Sequence, residues 1–191
     1  MNQIAALLQE IHACRTCKDL PLGPKPIVQF SASSKLLIVG QAPGRITHNK
    51  GIPFDDPSGE RLRSWLGVDR STFYDPAKIA IVPMGFCFPG TGTGGDLAPR
   101  PECAPAWRKR IMDGLNDISM TLILGRYAID YHAPEYSKMS VTNAVKDWET
   151  NWPKQLILPH PSPRNNRWLR QNPWFERTII PSLQRQIAEL L

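Results

Sequence analysis

Residues 35–54 read KLLIVGQAPGRITHNKGIPF. The apolar run KLLIVG stops abruptly in a loop of glycine, proline and polar residues. A short apolar run bounded by turn formers is the mark of a strand buried on both faces, as in a parallel sheet. A linker would not need such a run in front of it. The loop that follows therefore leaves the carboxyl end of a buried strand, where open α/β sheets bind their ligands. Its first candidate position for chemistry holds Gln41, which is neither acid nor base.

Working outward, the same pattern recurs. KIAIVPM (78–84), MTLILG (120–125) and QLILP (155–159) read as three more strands. Helical patterns lie between them. Ile4, Leu7, Leu8 and Ile11 predict a helix over 2–13. SGERLRSWLG (58–67) predicts another, with Ser58 able to cap it and Gly67 to end it. ECAPAWRKRIMDGLNDI (102–118) carries Pro105 in its first turn, RYAIDYH is a short helix, and 174–191 is helical with Pro181 expected to kink or split it. Residues 18–34 are proline-rich and irregular. GFCFPGTGTGGDLAPRP (85–101) has no period and reads as a long loop. Strand and helix alternate, which predicts a single domain over 1–191. The expected fold class is α/β, three-layer αβα with a central, mainly parallel four-stranded sheet. The loops at the carboxyl strand ends are then 40–56, 84–102, 125–127 and 159–166.

The chain has 191 residues, 41% hydrophobic, a formal charge of +6 and a pI near 9.3. That length supports one substantial core. The basic excess favours an anionic partner such as nucleic acid. MNQIAALLQEIHACRTC has no basic n-region, and its apolar residues are spaced rather than continuous. No apolar run approaches the ~20 residues of a membrane helix. A cytoplasmic protein without membrane contact is expected, and nothing in the sequence demands an obligate partner, so a monomer is expected.

The four cysteines fall into two pairs, Cys14-x2-Cys17 and Cys87-x15-Cys103, near element ends rather than inside core runs. In a reducing compartment disulfides are disfavoured. The spacing suits metal ligation, with four thiolates holding either zinc or a [4Fe–4S] cluster. Either would staple the first helix to the loop after the second strand. The spacing alone does not choose between them.

Several motifs then coincide. GQAPG (40–44) followed by GIPF (51–54), the four cysteines in order, the proline-rich segment between the third and fourth, and His160-Pro161-Ser162-Pro163 together resemble the uracil-DNA glycosylase superfamily. They are most similar to its iron–sulfur-containing branch, family 4. The resemblance covers most of the chain and implies a [4Fe–4S] cluster on Cys14, Cys17, Cys87 and Cys103. It implies a DNA partner carrying a damaged base, which is flipped into a pocket. Phe54 would stack on the base, and Gly40, Gln41 and Ala42 would present backbone N–H groups to it or to the attacking water. His160 would donate to the leaving base. Ser162, Arg164, Asn165, Asn166 and Arg167 would grip phosphates, with Trp168 and Leu169 as candidate wedges.

The chain also departs from that pattern. The family's Glu in GEAPG is Gln41, which cannot act as a base at neutral pH. Its acidic run before GxPF is replaced by RITHNK, and its base-reading Asn, four residues before the third cysteine, is Pro83. Asp55 and Asp56, directly after Phe54, are candidate replacements for the carboxylate, although Asp56 is also placed to cap the following helix. His48 is a further candidate, and Asn143 a candidate for the lost donor. Three readings follow: a DNA glycosylase acting on uracil or another deaminated base, a catalytically altered nucleic-acid or nucleotide binder, or an enzyme of free nucleosides.

Overall fold

Leu36, Leu37, Ile38 and Val39 are all buried, and they form the central strand β1 of the sheet. In the computed structural model, which describes residues 3–191, the elements before and around it are α1 (Gln3–His12), β1 (Leu36–Val39), α2 (Arg45–Lys50), α3 (Pro57–Leu66), α4 (Arg70–Phe73) and β2 (Ile79–Ile81). They continue as β3 (Thr91–Gly92), β4 (Gly95–Asp96), α5 (Cys103–Gly114), β5 (Met120–Leu124), α6 (Arg126–His132), α7 (Val141–Lys146), β6 (Gln155–Leu158), α8 (Asn166–Gln171) and α9 (Ile180–Leu190).

The sheet order is β2-β1-β5-β6 and every pairing is parallel, with Leu36 opposite Ile79 on one side and Met120 on the other. The chain steps from β1 outward to β2, then returns past β1 to β5. The loops leaving β1 and β5 therefore part in opposite directions, which opens a crevice at the carboxyl edge. Helices flank the sheet, α1 packing on α5 and α3 on α9, which gives a three-layer α/β fold. Burial of the strands follows from that covering: all of β1 and β2 is buried, and only Thr121 of β5 and Gln155 of β6 are half-exposed.

The predicted strands and main helices are present, with ends shifted inward. Position 2 of the predicted first helix lies outside the described residues. Three segments differ in kind. RITHNK, predicted as loop, forms α2 and ends on Gly51 in the left-handed region (φ 74°). The long loop 85–101 contains the antiparallel hairpin β3–β4. The stretch after His160 winds into a 3-10 turn and α8. Pro181 does interrupt the last helix: a π-helical turn over 175–179 precedes it, and it sits in the first turn of α9. Among the described residues no helix is long and apolar enough to cross a membrane.

Candidate active site

A cleft of about 520 Å³ opens at the carboxyl edge of the sheet. Its walls are Gly40–Gly44 after β1, Pro83 after β2, the hairpin tip with Gly95 and Asp96, and His160 with Ser162–Asn165 after β6. Phe54 and Asp56 also line it.

Phe54 reaches within 3.9 Å of the point where a Cβ on Gly40 would sit, so its ring lies against a floor kept bare of side chain. Among the described residues it is the one non-glycine with positive φ, at 54°. A bulky residue holds that conformation only when its surroundings enforce it. The enforcement comes from α3. A Cβ on Gly59 would fall 1.6 Å from the Phe54 carbonyl oxygen, and the buried Arg63 donates to that same oxygen at 3.3 Å. Arg63 also bonds the Tyr74 hydroxyl, pairs with Glu60 and stacks over Phe73, whose ring meets Phe54 edge-on.

The same helix positions two other walls. Asp56 is its N-cap: Oδ1 accepts from Gly59 N at 2.8 Å, and Oδ2 accepts from Thr47 at 3.3 Å. Arg61 reaches across to the loop after β6, donating to the carbonyls of Pro161 and Ser162 and to the Asn166 side chain at 2.7 Å. Asp55 turns elsewhere. It lies outside the cleft lining and pairs with Lys50 and Arg70, and the Arg70 hydrogen bond, with Lys50 beside it, lowers its pKa.

His160 is kept neutral at pH 7. Burial lowers its pKa, although Asp56 and Asp96 act in the opposite direction. Its Nδ1 accepts from Ser162 N at 3.2 Å, which leaves the single ring proton on Nε2. Asn165 donates to the His160 carbonyl at 2.7 Å and so holds the residue rather than standing free for phosphate.

Gln41 also has an internal task. Its amide nitrogen donates to the Leu97 carbonyl at 2.8 Å and, at 3.4 Å, to that of Asp96. It thereby ties the hairpin to the loop after β1. Arg164 lies against the hairpin, its guanidinium filling the space that a Cβ on Gly95 (φ 131°) would take. Asp96 stands at the end of this hairpin: Oδ1 accepts from Thr91 at 3.2 Å, and Oδ2 lies 3.2 Å from where a Cβ on Gly44 would be.

Pro83 is fixed from behind. Arg108, fully buried on α5, donates to the carbonyls of Val82 and Pro83 and to His132 Nε2 at 3.0 Å. Burial brings its pKa to about 10, still charged, and pushes that of His132 to about 4.

A second cavity lies behind that wall. Cys14, Cys17, Cys87 and Cys103 all line it, and all four thiols are free. Burial pushes the Cys87 thiol up to about 11 and that of Cys103 to about 12. Burial, with Glu102 nearby, also raises Cys17, whereas at Cys14 the opposing hydrogen bonds from Thr16 outweigh burial and the thiol falls below its ordinary range. Phe86 N donates to Cys103 Sγ at 3.4 Å. Immediately before it, Met84 N and Gly85 N donate to the carbonyls of Gly40 and Gln41 at 2.8 and 2.9 Å. Among the described residues no three His, Cys, Asp or Glu side chains converge on a point that would hold a single metal ion.

The remaining candidates divide. Ser162 lines the cleft and caps the 3-10 turn, while Arg164 and Arg167 are exposed. Trp168 and Leu169 are not wedges: Leu169 is buried, and Trp168 packs on Trp174 and Phe175 with its indole N–H on Thr142. His48 is buried beside Phe88, outside the cleft lining, and Asn143 is exposed on α7. Asp96, Arg61, Arg63 and Arg108 were not singled out by sequence reasoning. Arg61 and Arg108 act through partners distant in the chain, and Asp96 and Arg63 lie in segments whose folding carries no periodic signal of their role.

The fold is a parallel α/β sheet with an open cleft at its switch point, lined by bare Gly40, the Phe54 ring and His160. A family model described as the uracil DNA glycosylase superfamily matches residues 27–184, and the chain belongs to that superfamily. Membership supports a glycosylase-like function with DNA as the substrate.

Proposed function

We propose that this chain is a DNA glycosylase that hydrolyses the N-glycosidic bond of uracil or another deaminated base flipped out of DNA. The observation that carries the reading is the strained Phe54 ring, held against bare Gly40 in the same cleft as a neutral His160. A planar base entering that cleft stacks on Phe54 and is met by the backbone of Gly40–Ala42. The Nε2–H of His160 donates to the base oxygen where negative charge grows as the bond to C1′ breaks. Arg164, Arg167 and Ser162 line the approach for phosphates. With Gln41 engaged by the hairpin and Pro83 lacking a side-chain donor, the base is read by shape and backbone rather than by the family's Asn.

We also propose that Cys14, Cys17, Cys87 and Cys103 hold a [4Fe–4S] cluster. The four thiols line one cavity, and four thiolates are the ligand set of such a cluster. The amide at Cys103 suits a bound thiolate. Bound there, the cluster would fasten the end of α1 to α5 and supply no step of the hydrolysis. Anaerobically purified protein should be brown and absorb near ~400 nm. Colourless protein with stoichiometric zinc would overturn the cluster.

The glycosylase reading is tested with labelled single- and double-stranded oligonucleotides carrying uracil, hypoxanthine, xanthine or mismatched thymine. Abasic product is expected, with loss on His160→Ala and on Phe54→Ala. Tight binding without product from any of them favours the second reading, a nucleic-acid binder, which the occupied Gln41 amide motivates. Activity on free nucleosides that is insensitive to salt would remove DNA as the substrate.

A further inference from the structure

The cleft holds two carboxylates, and their surroundings differ. Asp56 has both oxygens engaged and caps α3, a structural task it cannot leave. Asp96 has one oxygen on Thr91, and its other oxygen points at the bare Cα of Gly44, on the loop that floors the cleft. The hairpin that carries it is tied by the Gln41 amide on the Leu97 and Asp96 carbonyls, and Arg164 packs against Gly95. Gln41 occupies the place where the superfamily resemblance leads one to expect a carboxylate.

Resting on the glycosylase reading, we propose that Asp96 is the catalytic carboxylate of this chain, delivered into the cleft by the β3–β4 hairpin, and that Gln41 is the positioning residue that holds the hairpin there. The exchange is self-consistent. A carboxylate at position 41 would face the Leu97 carbonyl and repel it, whereas an amide donates to it. Loss of the acid from the floor and its arrival from the hairpin are one arrangement.

In the step this implies, a water held by Asp96 Oδ2 attacks C1′. The C1′–N bond breaks and its electron pair leaves with the base, whose oxygen receives the His160 Nε2–H hydrogen bond. Asp96 takes the proton released by the attacking water and returns it to solvent, and the base anion is protonated from solvent. Water is added across the bond, and nothing is oxidised or reduced.

The test is single-turnover excision on the best of the oligonucleotides above. Asp96→Asn should slow the chemical step by about 10²–10⁴-fold, with the affinity for a duplex carrying a tetrahydrofuran abasic analogue held within about two-fold. Asp96→Glu should recover part of the rate. Gln41→Ala should slow the same step, and adding it to Asp96→Asn should cost little more, because the two act as one unit. An Asp96→Asn rate within about three-fold of wild type, or a larger loss in Asp55→Asn than in Asp96→Asn, overturns the assignment. If the wild-type chain excises nothing, the glycosylase reading itself falls. The placement of Asp96 is then decided by the imidazole titration of His160 followed by NMR. Asp96→Asn lowers that pKa if the carboxylate faces the cleft, and an unmoved titration overturns the placement as well.

Discussion

The amide nitrogen of Gln41 lies 2.8 Å from the carbonyl oxygen of Leu97, so a residue of the sheet-end loop grips a hairpin more than fifty positions later in the chain. The bond is specific to an amide. A carboxylate has no proton to give to a carbonyl. Position 41 therefore discriminates between Gln and Glu on structural grounds alone.

Gln41→Glu should leave the sheet intact and release the hairpin. Amide hydrogen exchange over 91–97 should rise, while β1 and β5 stay protected. Restoring the family's residue should therefore slow excision rather than speed it. A Gln41→Glu protein with unchanged exchange at 91–97 would show that the contact does not hold the hairpin in solution.

Gly59 is the tightest packing point under the site. Gly59→Ala places a methyl 1.6 Å from the Phe54 carbonyl oxygen, so Phe54 must leave its left-handed conformation or α3 must shift. Destabilisation of about 1–3 kcal/mol is expected, read by thermal unfolding, together with weaker binding of the abasic-analogue duplex. Gly94→Ala meets no atom within 4 Å and should change stability little.

His160→Ala should cost about 10²–10³ in the rate of base release, the usual effect of losing one donor to a developing oxyanion. Because burial lowers the pKa of the wild-type imidazole below its ordinary value, its protonation should contribute little loss of rate between about pH 8 and 7. A rate that falls steeply through that interval, and no longer does so in His160→Ala, would show that the imidazole titrates there and is not held below its ordinary pKa.

Acid stability should depend on the Arg108–His132 pair. The folded pKa of His132 is depressed to about 4, below the ordinary 6.5, by burial and then by Arg108. Between those values the unfolded chain binds the extra proton and the folded chain does not. The stability held above pH 6.5 is thus lost as pH falls towards 4, by about 3 kcal/mol at most. His132→Gln should flatten urea-unfolding midpoints over that window. Arg108→Met, which leaves the carbonyls of Val82 and Pro83 without their donor, should destabilise at all pH values, by about 1–3 kcal/mol.

The sheet was legible because four short apolar runs, each bounded by turn formers, have no other stable use. The carboxyl-edge loops followed from it, while Gly40, Phe54 and His160 were singled out within them by the family resemblance; the structure brings all three to one cleft. The hairpin was not legible. Two strands of two residues each carry no period, and a glycine-rich stretch reads as spacer, so Asp96 stayed hidden inside it. Arg108 was hidden by its neighbours: Arg108-Lys109-Arg110 reads as a solvated face, and the burial of the first comes from acceptors on β2's exit and α6. Trp168 was misread because an apolar residue after a basic loop has the same signature whether it faces DNA or the core. The hydrogen bond to Thr142, 26 positions earlier, and the packing on Trp174 and Phe175 separate the two.

Met84, Gly85 and Phe86 donate in turn to the carbonyls of Gly40 and Gln41 and to the sulfur of Cys103. Three consecutive peptide groups thus couple the thiol cavity to the floor on which a base would rest. That is a very short lever. A shift at Cys103 has almost no chain over which to decay before it reaches Gly40, so loss of the Cys103 thiol is expected to disturb the cleft as well. The two centres are mechanically one, and neither can be redesigned alone.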